Sequence, residues 1–439
     1  MPVYRNWSGS FQFKYQKLHQ PTSESEIVAV VRQATNSRQK VKVVGSGHSC
    51  SQIAKADDAI LISLKNYNRI LEADPSSGLV KAQSGIILRD LCKQLKHHGL
   101  ALQNMGTIDE QTLAGAIATG THGTGITQPA IDQQIHAYTL VTGTGEVIEV
   151  DQNHELYEAG KVALGALGIL STITLKCVAN FKLEVNTFST SLQQAVKKLP
   201  EHLQSPYFRL WWFPHTNKVQ VWQANETTKP ASIESKWAYW YKNILLGNYV
   251  TELGLWFTSF LPTSIRSFNR WVFNQLFSQP QSNVRYAYDA FVIPIRTKQL
   301  VMEYAIPIGQ AESAIKKMEA FIESGSQVVH FPIEIRFAPS NEAWMSMSYE
   351  RTSCYIGIIT YHPYGKKIPH EPYFRQIHHI LADFDARPHW AKIHYFSAEA
   401  LEQKYAKWND FKRLRSQLDP EGMFENEYLK KLFSTEKKT

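Results

Sequence analysis

The chain has 439 residues, 43% hydrophobic and 20% charged, with a formal net charge of +8 and a pI near 9.0; no low-complexity tract or internal repeat is visible. Single cores stop growing near ~250–300 residues, so two domains are expected. The basic residues are scattered, which favours anionic ligands or an acidic surface and argues against a nucleic-acid-binding protein.

In chain order, Thr22-Ser23 followed by Glu24, Glu26, Ile27, Val30 and Val31 predicts a capped amphipathic helix from about Ser23 to Ala34. Val41-Lys42-Val43-Val44 reads as a strand that delivers the chain into Gly45-Ser46-Gly47-His48-Ser49, a tight turn whose N–H groups can converge on an anion such as a pyrophosphate. A dinucleotide G-x-G-x-x-G fingerprint would need glycine at Cys50 and a helix behind it. Instead a polar loop leads to a further strand, Ala59 to Leu64. Val80 to Gln83 reads as a strand, and Ile87 to His98 as a helix with Leu88, Leu91, Cys92 and Leu95 at helical spacing, ended by Gly99.

A second glycine-rich segment runs from Thr112 to Gly125 and carries His122. Its small residues let backbone approach a large flat ligand, and its hydroxyls supply donors to phosphates. Tyr138–Val141 and Val147–Val150, joined by Gly143-Thr144-Gly145, form a predicted hairpin, and Ser171–Leu175 a further strand. One α+β domain is expected to end near Val178.

From Phe181 strands such as Phe208–Phe213, Lys218–Trp222 and Tyr355–Thr360 alternate with helices such as Ala311 to Glu323. This pattern fits a second α+β domain on a larger antiparallel sheet. In Ile333-Glu334-Ile335-Arg336-Phe337 the period of two sends Glu334 and Arg336 to one face. Between Trp237 and Phe277 aromatics and leucines accumulate, but Lys242, Glu252, Arg266 and Arg270 interrupt them before the ~18–20 apolar residues of a spanning helix. Two readings stand there: a pair of core helices, or an interfacial amphipathic patch. The segment Arg387 to Phe433 holds polar-aromatic clusters that read as site rather than core.

Cys50, Cys92, Cys177 and Cys354 lie far apart with no C-x-x-C pair, so neither a zinc site nor a disulfide framework is indicated, no metal ligand is assigned and a reducing compartment is expected. The N-terminus lacks an apolar h-region, which argues against a cleaved secretion signal. Disorder is expected only from Ser434 to Thr439.

Val44 to Ser49 together with Ala114 to Gly123 resembles the FAD-binding domain of the vanillyl-alcohol oxidase superfamily. Phe331-Pro332-Ile333-Glu334-Ile335-Arg336-Phe337 and His389-Trp390-Ala391-Lys392-Ile393-His394 resemble the sugar-1,4-lactone oxidases within it. The resemblance implies an FAD-binding domain over 1–178 and a substrate domain over 179–439, with 387–433 contributing to the active site. It implies an enzyme that oxidises an L-gulono-, L-galactono- or D-arabinono-1,4-lactone by hydride transfer to the flavin, with O2 reduced to H2O2. Alternatives on the same scaffold are an alditol or other sugar oxidase, or a membrane-docked dehydrogenase using quinone or cytochrome c. A cytoplasmic or peripherally membrane-associated location follows, with lipid contact through 237–277.

By resemblance His48 carries FAD covalently through the flavin 8α carbon, and Val44, Gly45, Ser46, Gly47 and Ser49 cradle the pyrophosphate. Thr107, Thr112, Gly115, Thr119, Gly120, Thr121 and His122 line the flavin, and Ile169 or Leu170 touches the adenine end. Gly106 occupies a position that is glycine in the oxidases and alanine in a plant-type dehydrogenase, which implies oxygen as acceptor. Glu334 and Arg336 hold the substrate, Glu334 as the expected base, and Lys392 sets a positive charge beside the flavin. Gly357 stands where relatives carry asparagine or histidine.

Overall fold

The computed structural model describes residues 1–434. Thr435 to Thr439 lie outside the described residues. Ser434, expected to be disordered with them, closes the last helix through its N–H on the Lys430 carbonyl at 2.8 Å.

The predicted N-terminal elements form. Helix Glu24–Asn36 starts at Ser23, whose hydroxyl accepts the Glu26 N–H at 3.2 Å, while the Glu26 carboxylate reaches back to the Thr22 N–H at 2.7 Å. Its buried face, Ile27, Val30, Val31 and Ala34, covers a three-stranded parallel sheet ordered Lys17–His19, Ile60–Ser63, Val41–Val44. The glycine turn therefore leaves the C-terminal end of a parallel strand, the end at which open α/β sheets bind ligands. A five-stranded antiparallel sheet stands beside it, containing the predicted 138–150 hairpin with Val141 opposite Val147.

The second half is built on an eight-stranded antiparallel sheet. From one edge its strands are Gln281–Tyr286, Lys182–Thr190, Lys218–Thr227, Tyr207–Phe213, Ile333–Ala338, Ser353–Tyr361, Gln299–Pro307 and Arg387–Pro388. Side chains alternate across it. Phe208, Leu210, Trp212, Ile335, Phe337, Ile356 and Ile358 point to one face and pack with helices Ala311–Glu323 and Glu371–Ala382. The intervening residues, Arg209, Trp211, Glu334 and Arg336 among them, line a cavity on the opposite face.

Helical segments from Lys236 to Phe277, including a π-helix over Trp240–Val250, pack over that cavity. The core-helix reading of this stretch holds in part: Val272 and Phe273 are buried with Phe213 and Phe331, and Phe268 and Phe277 pack against them. Lys242, Asn243, Asn248 and Thr251 face inward, while Trp237 is 68%, Phe257 57% and Leu261 63% exposed. The apolar face of the sheet is already filled by two other helices, so these aromatics pack only among themselves, Trp237 on Tyr241 and Phe257 on Trp256, and stay exposed. No helix among the described residues is long and apolar enough to cross a membrane. The 387–433 expectation is also revised in part: Trp390, Tyr405, Trp408 and Phe411 are fully buried core residues, and the cavity takes only His389, Ala391 and Lys392 from this segment.

Candidate active site

Two cavities meet at His48 and Gln111. The smaller, about 140 Å³, is lined by every residue from Val44 to Ser49 and by Thr112, Gly115, Thr119, Ile169 and Leu170. The larger, about 360 Å³, is lined by Gly106, Thr107, Thr121, His122, Glu334, Arg336, Gly357, His389 and Lys392. Of the sequence-predicted residues Gly120 lines neither. Its φ of +68° turns the chain after helix Leu113–Ala118, and a Cβ there would meet Met347 at 3.0 Å.

The loop carrying His48 is held from two sides. On one, the N-terminal arm packs on the turn: the Trp7 N–H donates to the Gly47 carbonyl at 2.8 Å and Asn6 Nδ2 to the Ser49 carbonyl at 3.0 Å. On the other, Cys50 N–H donates to the Ala391 carbonyl at 2.7 Å and Ser51 Oγ to the Trp390 carbonyl at 2.7 Å. Residues some 340 positions apart are thereby tied together, which places His48 near Lys392. The His48 ring stacks on Trp7 at 5.1 Å. Burial, with the Lys392 charge adding to it, lowers the His48 pKa to about 4, against an opposing pull from Asp109. The imidazole is neutral at pH 7.

Glu334 and Arg336 share a face, as the strand period requires. Arg336 Nη2 donates to Glu334 Oε1 at 2.7 Å and to Thr107 Oγ1 at 3.1 Å, joining the sheet to the glycine-rich side. Trp211 Nε1 donates to the same carboxylate oxygen at 2.9 Å, leaving Oε2 for a ligand. Burial pushes the Glu334 pKa up, but the charges of Arg336 and Arg209 and these hydrogen bonds outweigh it and hold the carboxyl below its usual range. Gly357 lies between Glu303 and Glu334 on the neighbouring strands and presents only backbone.

Sequence reading missed Glu303. His122 Nε2 lies 3.2 Å from its Oε1, and His122 Nδ1 is 3.0 Å from the Gly123 carbonyl, so both ring nitrogens face oxygen atoms. Burial works to raise Glu303, yet the hydrogen bond and charge of His122, with His389 and Lys392, bring it well below the usual carboxylate range. His389 Nδ1 accepts the Ala391 N–H at 3.2 Å, and its burial lowers its pKa to about 3. The nitrogens and carboxylate of His122, Glu303 and His389 lie within 4.8 Å of one another, a ligand-type cluster that the sequence, where no metal ligand was assigned, does not announce. Each imidazole commits one nitrogen to backbone, and the remaining contact is an imidazole–carboxylate pair. The signal available was a lone carboxylate in the apolar run Leu300-Val301-Met302-Glu303-Tyr304-Ala305-Ile306. His394 faces Tyr428 instead, at 2.9 Å, and lines neither cavity.

The small cavity fits a dinucleotide phosphate. A Cβ on Gly45 would collide with Thr112 Oγ1, and one on Gly115 would stand 3.0 Å from the same atom, so side chains at either position would fill the cradle. The larger cavity continues past His48 to an ion pair suited to hydroxyl and carbonyl oxygens. A glycine-lined half joined at His48 and Gln111 to a polar cavity over an antiparallel sheet has the two-domain fold of the vanillyl-alcohol oxidase type. Solved structures agree in fold: a cholesterol oxidase from Brevibacterium sterolicum superposes with a TM-score of 0.79 over 98% of this chain and 97% of its own, at 13% identity. A solvent-stable cholesterol oxidase gives 0.80 over 98% and 97%, at 16% identity.

The profile of the D-arabinono-1,4-lactone oxidase family matches residues 173–432, and that of an FAD binding domain matches 16–151. The L-gulonolactone oxidase of Bos taurus is 38% identical over 434 residues, covering 98% of each chain. The L-gulono-1,4-lactone dehydrogenase of Mycobacterium tuberculosis is 33% identical over 437 residues, covering 98% of this chain and 99% of its own. The chain belongs to the D-arabinono-1,4-lactone oxidase family of FAD-linked oxidoreductases.

Proposed function

We propose that the protein is an FAD-dependent aldonolactone oxidase, acting on the carbinol next to the carbonyl of a sugar-1,4-lactone with O2 as acceptor and H2O2 as product. The observation that carries this reading is the bridge from Glu334 through Arg336 to Thr107, which sets a carboxylate and a guanidinium where the two halves meet. Residues 1–178 form the FAD-binding half and 179–439 the substrate half, consistent with strand Ile169–Lys176 closing one sheet and Lys182–Thr190 entering the other.

Bound FAD supplies the hydride acceptor. Arg336 holds the carbonyl or ring oxygen of the lactone, and the free Oε2 of Glu334 takes the hydroxyl proton. A carboxylate of lowered basicity suffices for this, because the hydroxyl becomes strongly acidic as its carbon gives up hydride. Lys392 stands as a fixed positive charge beside His48 and favours negative charge at that edge. His48 is the covalent anchor; its neutral ring retains the lone pair that such a bond consumes. Gly106 lines the cavity with no side chain, leaving an approach for O2; a methyl group there would meet the His122 carbonyl at 3.3 Å. The outward aromatics of 237–277, with Lys236, Arg266 and Arg270 exposed in or beside the same segment, favour peripheral contact with a membrane surface.

Oxygen uptake and peroxide release with L-gulono-, L-galactono- and D-arabinono-1,4-lactone and with xylitol test the reading. Lactone consumption with one peroxide per O2 is expected. Turnover that reduces cytochrome c or a quinone dye without oxygen uptake would assign the protein to the dehydrogenases, one of which is among its relatives. A preference for xylitol would move the substrate to the alditols.

A further inference from the structure

Arg209 sits in strand Tyr207–Phe213, on the cavity face, next to the strand carrying Glu334 and Arg336. Leu210 pairs with Ile335 and Trp211 with Glu334, so the same register carries Arg209 toward Arg336. Its guanidinium lies between two indoles, 4.6 Å from the Trp222 ring centre and 5.2 Å from that of Trp211. It is 6% exposed and lines the larger cavity. No hydrogen bond or ion pair reaches it from any described residue: the only carboxylate it feels, Glu334, is bonded to Arg336 and Trp211. A guanidinium has five N–H donors and no acceptor, and burying it unpaired is costly unless a ligand completes it. Burial and the Arg336 charge lower its pKa to about 9 against the pull of Glu334, the signature of a cation short of counter-charge.

The charges lining the cavity point the same way. Lys242, Arg209, Arg336 and Lys392 face it against Glu303 and Glu334, while Arg285 is neutralised by Glu234 at 2.9 Å. Cations are in excess, and the excess is concentrated where two guanidiniums share one carboxylate.

We propose that Arg209 is a specificity-determining residue that reads an oxidised carbon: its donors take the carbonyl oxygen of a lactone or the carboxylate of the ring-opened sugar acid, in preference to the hydroxymethyl end of an alditol. The inference rests on the aldonolactone reading and deepens it, giving a physical reason for a lactone over an alditol on this scaffold. Trp211 and Trp222 pack against the planar guanidinium and fix its position while its donors stay open to the cavity, in surroundings less polar than water. The distinction is one of charge and acceptor strength, since L-gulonate and its alditol, sorbitol, share one carbon skeleton and differ at a single terminus.

Calorimetric titration of the oxidised holoprotein with L-gulonate and with sorbitol tests the proposal without turnover. The native protein is expected to prefer gulonate by at least about tenfold, the scale of a charge-assisted hydrogen bond. In Arg209→Met gulonate binding falls to the level of sorbitol while sorbitol affinity holds, and Arg209→Lys retains part of the preference. Equal binding of the two ligands by the native protein, or a preference surviving in Arg209→Met, overturns the proposal. A loss of both ligands together in Arg209→Met and Arg209→Lys marks a structural role and overturns it too. If the protein turns over no lactone yet binds gulonate through Arg209, the functional reading falls and this one stands.

Discussion

His48 illustrates how one side chain can be placed by groups far from it in sequence. Its neutrality comes from burial and from Lys392, and Lys392 is brought close because the Cys50 and Ser51 amides bond the Ala391 carbonyl. A neutral ring nitrogen at the junction of the two cavities is the nucleophile that covalent flavin attachment requires. Acid precipitation of the native protein is expected to leave the yellow colour in the pellet. In His48→Ala the colour moves to the supernatant, with flavin still bound in the native buffer by the glycine cradle. Release of all flavin from the acid-treated native protein would refute covalent attachment. The histidine and the glycines around it were legible because each residue type has few other uses in such a turn. Glu303 and Arg209 were not, since a lone charge in an apolar strand becomes informative only once the facing strands are known.

At the scale of elements, strands and helices formed where period and caps indicated them. Helix Ala311–Glu323 has the predicted limits, and Leu88, Leu91, Cys92 and Leu95 are the buried face of Leu88–His97. The stretch 237–277 was ambiguous because aromatic periodicity is the same for a core helix and for an interfacial one. What separates them is whether another element covers the aromatic side, a property of the neighbours. The segment lines the cavity with polar residues from Lys242 to Thr251 and apolar ones from Leu255 to Phe277, and turns a set of exposed aromatics outward, with Lys366 Nζ 3.1 Å from the Phe260 ring centre. Vesicles with anionic headgroups should bind the protein, and replacing Trp237, Phe257 and Phe260 together by serine should reduce the bound fraction more than about tenfold while lactone turnover in buffer holds. Equal sedimentation of both proteins with such vesicles would remove the lipid assignment.

For the whole molecule, the two halves are joined through the site itself: Arg336 to Thr107, Tyr288 to Asp109 at 2.6 Å, and the Tyr207 hydroxyl to the Gln103 carbonyl at 2.8 Å. Several histidines are folded neutral by burial, His330, His378 and His394 with pKa values lowered to about 4 and His389 to about 3. Unfolded histidine titrates near ~6.5, so between there and about 4 the unfolded chain binds protons that the folded one refuses, and stability rises with pH across that window. Below it, Glu303 and Glu334, both held under the usual carboxylate range in the fold, act in the same direction. Melting temperature should therefore fall steadily from about pH 7 to about pH 4.5, ahead of carboxylate titration. A flat profile over that range would show that these rings are not neutral in the fold.

By itself the sequence determined the local elements, the two glycine-rich segments and the strand that turns Glu334 and Arg336 to one face, because caps, periodicity and glycine conformation are short-range properties. The tertiary structure alone decided which charges meet. Strand order set Arg209 beside Arg336, while loop contacts brought His122 onto Glu303 and, through the Cys50 and Ser51 amides on the Ala391 carbonyl, Lys392 close to His48; the separation of these residues along the chain carries no signal. It also decided which apolar face stays uncovered, because that depends on how many elements compete for one sheet.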